Sequence, residues 1–171
     1  MSGWVALLRA VNVGGTGKLP MAELKVLGEA LGLEQVRTYI ASGNLIFASD
    51  RTEPELRAAI EGALEQQFGK RIGVLVRSAA ELAGLVADNP WPDRPGNRVV
   101  ALFTDGGVSL EGVRNQRQEK LQAGPRAIYI DYGNGMADST LVIPAAMTGT
   151  VRNMNTVRQL ADLAQSVGET R

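Results

Sequence analysis

The chain has 171 residues, of which 44% are hydrophobic, and its formal net charge is +0 with an isoelectric point near 6.3. Such a chain can bury a substantial core, but it has no overall charge that would attract nucleic acid or an anionic membrane. Cysteine and histidine are both absent, which excludes disulfides, thiol nucleophiles, the common zinc sites and a Ser-His-Asp relay.

No apolar stretch approaches the roughly 18 residues that a membrane-spanning helix needs, and the N-terminus lacks the basic region of a signal peptide. We therefore expect a cytoplasmic protein that does not bind a membrane. No motif indicates a cofactor or a metal site, and no pattern predicts an oligomeric state.

The first half of the chain has the element order of a ferredoxin-like unit. The predicted elements are a strand over 4–11, a helix over 20–32, strands over 36–40 and 45–48, a helix over 52–69 and a strand over 71–76. Capping residues bound the second helix, with Thr52 at its start and Gly69 at its end. The βαββαβ order predicts an antiparallel sheet with helices on one face, in which the first strand lies between the third and the fourth.

A turn-rich segment over 90–96 predicts a connector between two domains. We expect a ferredoxin-like unit and a following helix over 1–89, and a second, smaller α+β unit over 97–171. The fold class predicted for the chain is α+β, with two ferredoxin-like α/β sandwich units. The elements predicted in the second unit are strands over 99–103 and 127–131, a short helix over 108–113, a polar loop or helix end over 115–122 and a last helix over 155–168. Residues 141–143 form either a strand or a helical turn, and the β-branched residues before Pro144 favour the strand.

A glycine-rich loop follows the first strand and forms the first part of a candidate anion site. The candidate residues here are Arg9, Asn12, Gly14, Gly15 and Lys18. The loop is not a true P-loop, because Asn12 and Leu19 stand where that motif needs a glycine and a Ser or Thr. Glycines ahead of a helix can still direct backbone N–H groups at an anion, although a solvated loop explains the same residues.

The hairpin turn forms the second part of the site. Because the first and third strands are antiparallel neighbours, we expect Ser42 and Asn44 to lie beside Arg9 and the glycine-rich loop. Each of these residues also has a structural explanation, as an ion pair or a turn former.

The third part precedes the last helix and contains Arg152, Asn153 and Asn155. Asparagine satisfies donors at a helix start, but an arginine there is unfavourable unless an anion or a carboxylate is close. We expect Arg152 to share the cleft with Arg9. If Arg152 binds the ligand, Arg152→Ala abolishes ligand binding and leaves the melting temperature of the unliganded protein nearly unchanged. If Arg152 is structural, the same substitution unfolds the protein.

Three blocks of the sequence resemble a known family. They are LLRAVNVGG from Leu7, YIASGN from Tyr39 and TVRNMNT from Thr150. Over nearly its whole length the chain is similar to an uncharacterised bacterial family, the domain-of-unknown-function family numbered sixteen ninety-seven. The resemblance implies ferredoxin-like sandwiches in duplicate, and it implies no activity, cofactor or partner.

The leading hypothesis is a small binding protein whose cleft takes a small anionic ligand, such as a nucleotide. One alternative is an RNA-binding module on the ferredoxin-like sheet. The zero net charge argues against nucleic acid, and so does the scarcity of aromatic residues on the sheet, where the third strand offers only Phe47. Another alternative is an enzyme that uses Lys18 or Tyr39, with Arg9 and Arg152 stabilising charge. The sequence contains no recognisable pair of nucleophile and base, so no catalytic residue is assigned.

Overall fold

The computed structural model describes residues 1–9, 19–40, 43–134 and 136–169. The chain divides into two compact units, the first made of residues 1–83 with the chain from Leu160 onward, and the second of residues 84–159. Each unit contains one four-stranded antiparallel sheet, and the described residues form four α-helices. The predicted α+β fold with two sandwich units is therefore confirmed.

The first unit follows the predicted order of elements. They are β1 (Ser2–Leu8), α1 (Met21–Ala30), β2 (Glu34–Thr38), β3 (Asn44–Ser49), α2 (Glu53–Phe68) and β4 (Val74–Ser78). The sheet order is β2-β3-β1-β4, so β1 is central as predicted. Thr52 accepts a hydrogen bond from Glu55 N, and Gly69 ends α2 with a φ of 71°, which confirms both predicted caps.

The second unit repeats this strand order with less helix. Its elements are β5 (Val99–Phe103), β6 (Lys120–Ala123), β7 (Ala127–Asp131), a 3₁₀-helix (Pro144–Met147) and β8 (Thr150–Asn153), with the sheet ordered β6-β7-β5-β8. Two helices contribute residues to both units, α3 (Ala79–Ala87) and α4 (Met154–Glu169). The domain limits predicted from the sequence, 1–89 and 97–171, stay a prediction.

Burial on both faces explains why β1 is apolar along its length. On one face, Ala6 and Leu8 belong to a core cluster that includes Leu24 of α1 and Ile60 of α2. On the other face the backbone of α4 approaches β1 at Gly3, which faces Ala164 and Gly168. A strand covered on both faces requires apolar residues at successive positions.

The second unit differs from prediction in three places. The helix predicted over 108–113 does not form; Gly112 has a φ of 81°, which is incompatible with an α-helix. The strand predicted over 141–143 is reduced to one bridge, in which Arg114 and Val142 exchange backbone hydrogen bonds of 3.0 and 2.9 Å. The loop predicted over 115–122 ends in β6, a short and mostly exposed edge strand.

Within the described ranges, no helix combines the length and the apolar character that crossing a membrane would require.

Candidate functional site

The end of β1 lies between the hairpin turn and the start of β4. Leu8 N donates a hydrogen bond to Gly43 O at 2.9 Å, and Arg9 N donates one to Gly73 O at 2.9 Å. Both contacts follow from the sheet order, because β3 and β4 each run antiparallel to β1. Arg9 is therefore placed beside the segment that leads into β4.

A cavity of about 340 Å³ in the first unit lies next to Arg9. The charged residues that line it are Arg9, Arg57, Glu61, Glu65 and Arg71. Three arginines against two glutamates leave one formal positive charge in excess. We call this cavity the arginine pocket. Its composition favours an anion over a cation.

One wall of the arginine pocket is a face of α2. Arg57, Glu61 and Glu65 are spaced four residues apart, so their side chains lie on the same side of the helix. Glu61 Oε1 lies 3.5 Å from Arg57 Nε, and Glu61 Oε2 accepts a hydrogen bond of 3.0 Å from Val74 N. Glu61 thus connects α2 to β4 and also holds Arg57 at the pocket.

The opposite wall is the segment that precedes β4. A Cβ at Gly73 would lie 3.2 Å from Cδ and 3.6 Å from Nη1 of Arg9, so the arginine side chain packs closely on the glycine backbone. Ile72 is buried in the core of the first unit, whereas its neighbour Arg71 is exposed. The buried isoleucine anchors the segment and leaves the Arg71 guanidinium at the pocket.

Of the predicted site residues in the first unit, Arg9 lines the arginine pocket. Asn12, Gly14, Gly15, Lys18 and Ser42 lie outside the described residues. Asn44 is fully buried, and its Nδ2 donates a hydrogen bond of 2.8 Å to Tyr39 O. This bond closes the hairpin turn, which is a structural role for Asn44.

Arg152 lies in β8 and is only 6% exposed. Its Nη1 donates hydrogen bonds to Thr150 Oγ1 at 2.8 Å and to Val151 O at 2.9 Å. Burial lowers the pKa of Arg152 to about 10, which leaves the guanidinium charged at neutral pH. Arg152 belongs to the second unit, and its predicted place in one cleft with Arg9 stays a prediction.

The two asparagines next to Arg152 have local structural contacts. Asn153 Oδ1 accepts a hydrogen bond of 2.9 Å from Thr156 N, so Asn153 caps the start of α4. Asn155 is exposed, and its backbone N donates to Gly96 O at 3.4 Å. A side chain at position 96 would collide with Asn155, which indicates close packing of this turn on the helix start.

The two units end their fourth strands in the same way. Arg77 of β4 is 2% exposed, and its Nη1 donates to the carbonyl of the preceding valine at 3.0 Å, as Arg152 does at 2.9 Å. The next residue caps the following helix in both cases, since Ser78 Oγ accepts from Glu81 N at 3.1 Å as Asn153 accepts from Thr156 N. A buried arginine at this position is therefore a structural feature that occurs twice.

A polar cluster in the second unit surrounds the buried carboxylate of Glu119. Ser139 Oγ donates to Oε2 of this carboxylate, and Arg117 N donates to Oε1 at 2.7 Å. The hydrogen bond from Ser139, followed by that from Arg117 N, lowers the pKa of Glu119 from its ordinary value of 4.5. These contacts tie the segment before β6 to the segment after β7, so we regard the cluster as structural.

We expect Glu119 to make stability depend on pH in the acid range. Because its pKa is lower in the folded state, its contribution is fully present above about pH 4.5 and is lost as the pH falls through the folded-state pKa. Urea unfolding between pH 3 and 7 measures this, with Glu119→Gln less stable than the wild type at pH 7 and closer to it at pH 3. Glu111→Gln, which changes an exposed residue of the same unit, is the control. A constant difference between wild type and Glu119→Gln at all pH values would contradict the expectation.

The pocket residues on α2 and before β4 are missed by sequence reasoning. The topology that places Asn44 on one side of the β1 end also places the segment leading into β4, with Arg71, on its other side. The i, i+4 spacing of Arg57 and Glu61 is a second available signal, but such pairs are common on solvent-facing helices. In the described part of the chain no group of three or more Asp or Glu residues forms a metal site.

A family model for proteins of unknown function, DUF1697, matches residues 1–129. The structure is similar to one described as that of conserved bacterial protein SP0830 from Streptococcus pneumoniae, with a TM-score of 0.81, 25% sequence identity, and coverage of 95% of this chain and 98% of that chain. No curated protein matches the chain. The family model covers most of the sequence, including the blocks from Leu7 and Tyr39, whereas the block from Thr150 lies beyond the matched residues; the chain belongs to the DUF1697 family.

Proposed function

We propose that the protein binds a small anionic molecule, such as a nucleotide, in the arginine pocket of its first unit. The observation that carries the proposal is the placement of Arg9, Arg57 and Arg71 around one cavity of about 340 Å³. Guanidinium groups match the geometry of phosphate and carboxylate oxygens and bind them through paired, charge-assisted hydrogen bonds. The volume lies within the roughly 300–1,000 Å³ range of small-molecule sites.

Pre-organisation of two of the arginines supports the proposal. Glu61 holds Arg57 at 3.5 Å, and the Arg9 side chain packs against the backbone at Gly73. Side chains that are already positioned lose less conformational entropy when they bind a ligand. Residues 10–18 follow Arg9 directly in the sequence, so the proposed site includes the predicted contacts from Asn12, Gly14, Gly15 and Lys18.

We prefer a small ligand to RNA because the aromatic ring of Phe47, on the sheet of the first unit, is buried in the core. Single-stranded RNA is bound on ferredoxin-like sheets by aromatic rings that stack on its bases. Phe47 of β3 is completely buried and belongs to the core cluster of the first unit. Its ring is therefore committed to packing, which supports the preference for a small anion.

Arg71→Ala tests the proposal. Inorganic phosphate or adenosine monophosphate at about 100 times its dissociation constant should stabilise the wild type by about 2.7 kcal/mol, which corresponds to roughly 5–11 °C in the melting temperature. Loss of one charge-assisted contact of about 1.5–3 kcal/mol should weaken binding by roughly 10- to 100-fold. Calorimetric titration and thermal unfolding measure the two effects.

Arg37→Ala is the matched control for this experiment. Arg37 is an exposed arginine of β2, which lies at the edge of the sheet opposite to β4. It has the same charge as Arg71 and no place in the arginine pocket, so its variant should bind like the wild type. An equal loss of affinity in both variants would indicate nonspecific attraction of anions and would contradict the proposal.

A further inference from the structure

Gly62 is a glycine in the middle of α2 that lines the arginine pocket. Glycine is among the poorest helix formers, so α2 is less stable with a glycine at this position than it would be with an alanine. A Cβ placed at Gly62 meets no heavy atom of the described residues within 4 Å. Packing in that part of the chain therefore does not require a glycine at this position.

From this we infer that Gly62 is a specificity-determining residue of the arginine pocket. The arginines bind the phosphate of a phosphomonoester, and the missing side chain at Gly62 leaves room for the organic part of the same molecule. The inference rests on the proposed function and names its ligand class. A volume of about 340 Å³ is roughly ten times the ~30 Å³ that one water occupies, so the cavity has space for more than an inorganic phosphate. Gly62 is one of the residues that line this cavity.

Glu65 follows Gly62 by three residues and therefore lies on the same side of α2. Its side chain is exposed and lines the same cavity. A carboxylate accepts hydrogen bonds from hydroxyl groups, whereas it repels a phosphate. A pocket lined by both arginines and a carboxylate fits a phosphate ester of a hydroxylated molecule, such as a sugar phosphate or a ribonucleotide.

The experiment compares Gly62→Ala with Gly84→Ala. Gly84 also lies in a helix, α3, and its Cβ would likewise meet no described atom within 4 Å, but it does not line the arginine pocket. Alanine should raise the melting temperature of both variants, by up to roughly 2–4 °C. Calorimetric titrations with inorganic phosphate, ribose phosphate and adenosine monophosphate then measure the affinities of wild type and both variants.

The inference predicts that the wild type binds at least one of the two phosphomonoesters more tightly than inorganic phosphate. Gly62→Ala should weaken phosphomonoester binding about tenfold or more, because an added methyl group occupies the space of the ligand, and should change phosphate binding by less than about twofold. Gly84→Ala should change none of the affinities.

Two results overturn the inference while the proposed function stands. In the first, Gly62→Ala binds the phosphomonoesters as tightly as the wild type does. In the second, the wild type binds inorganic phosphate at least as tightly as both esters. In each case Arg71→Ala must weaken binding by the expected roughly 10- to 100-fold. If the wild type binds none of the three compounds, the inference fails together with the proposed function.

Discussion

Gly3→Ala is expected to lower the melting temperature by roughly 6–12 °C. A Cβ at this position would overlap the carbonyl oxygen of Ala164 and would lie 3.3 Å from Gly168 N. Both are backbone atoms of α4, which cannot move by rotating a side chain, so the helix must shift away from β1. Overpacking of this kind costs about 3 kcal/mol, and about 1 kcal/mol corresponds to roughly 2–4 °C in a chain of this length.

Gly168→Ala provides a graded comparison for this prediction. Its Cβ would lie 2.9 Å from Gly3 N, a less severe overlap than that of Gly3→Ala with Ala164, so we expect a smaller loss of stability. Alanine is also the better helix former, which offsets part of the cost. Thermal unfolding of the two variants shows whether Gly3→Ala loses more stability than Gly168→Ala. A melting temperature of Gly3→Ala within 1 °C of the wild type would show that α4 does not pack on β1 in this way.

Arg152→Ala is expected to cost about 3 kcal/mol, or roughly 6–12 °C in the melting temperature, without any ligand present. The side chain is almost completely buried, lies opposite Ala101 of β5, and donates hydrogen bonds to Thr150 Oγ1 and Val151 O. Its removal leaves a cavity and takes a donor from the buried Thr150 hydroxyl. The same arrangement at Arg77 of β4 supports a structural role.

Arg152→Met separates packing from charge. Methionine keeps much of the buried stem and removes the cation, so the loss of stability should be smaller than in Arg152→Ala. The melting temperature with and without phosphate distinguishes a ligand-binding role of Arg152 from a structural role. If Arg152→Ala melts like the wild type and no longer responds to phosphate, Arg152 contacts the ligand and the structural explanation is wrong.

The first unit was predictable because its signals agree with one another. The β1 run is apolar on both faces because both faces are covered, and Thr52 and Gly69 bound α2 in the structure as the sequence predicts. Strand adjacency also follows from the order of elements alone. These features depend on local chemistry and topology, which a single sequence contains.

The second unit was less predictable because its elements carry weaker or competing signals. Strand β6 is short and exposed at the edge of its sheet, so Lys120 and its neighbours lack the alternation of apolar and polar residues that indicates a strand. The segment Thr150–Asn153 forms β8, but its sequence indicates the start of a helix because Asn153 caps α4. A strand that passes directly into a helix has no loop to mark the boundary, and β4 passes into α3 in the same way.

The candidate site was predicted in part. Arg9 is identifiable in the sequence as a charge within the apolar run 4–11, where a charge is costly unless it is paired or bound. Arg57 and Glu61 on an amphipathic helix are indistinguishable from solvated residues until the helix is placed against the start of β4. Their significance depends on tertiary packing, which the spacing of residues along α2 does not contain.

Tungstate, a heavy-atom analogue of phosphate, tests the central claim most directly when it is diffused into crystals of the full chain. An anomalous difference map locates tungsten without any assumption about the site. We predict a peak in the cavity between α2 and the segment before β4, within contact distance of Arg9 and Arg71, that disappears in crystals of Arg71→Ala. Tungsten bound only elsewhere on the protein, with this cavity empty, would contradict an anion site formed by the three arginines.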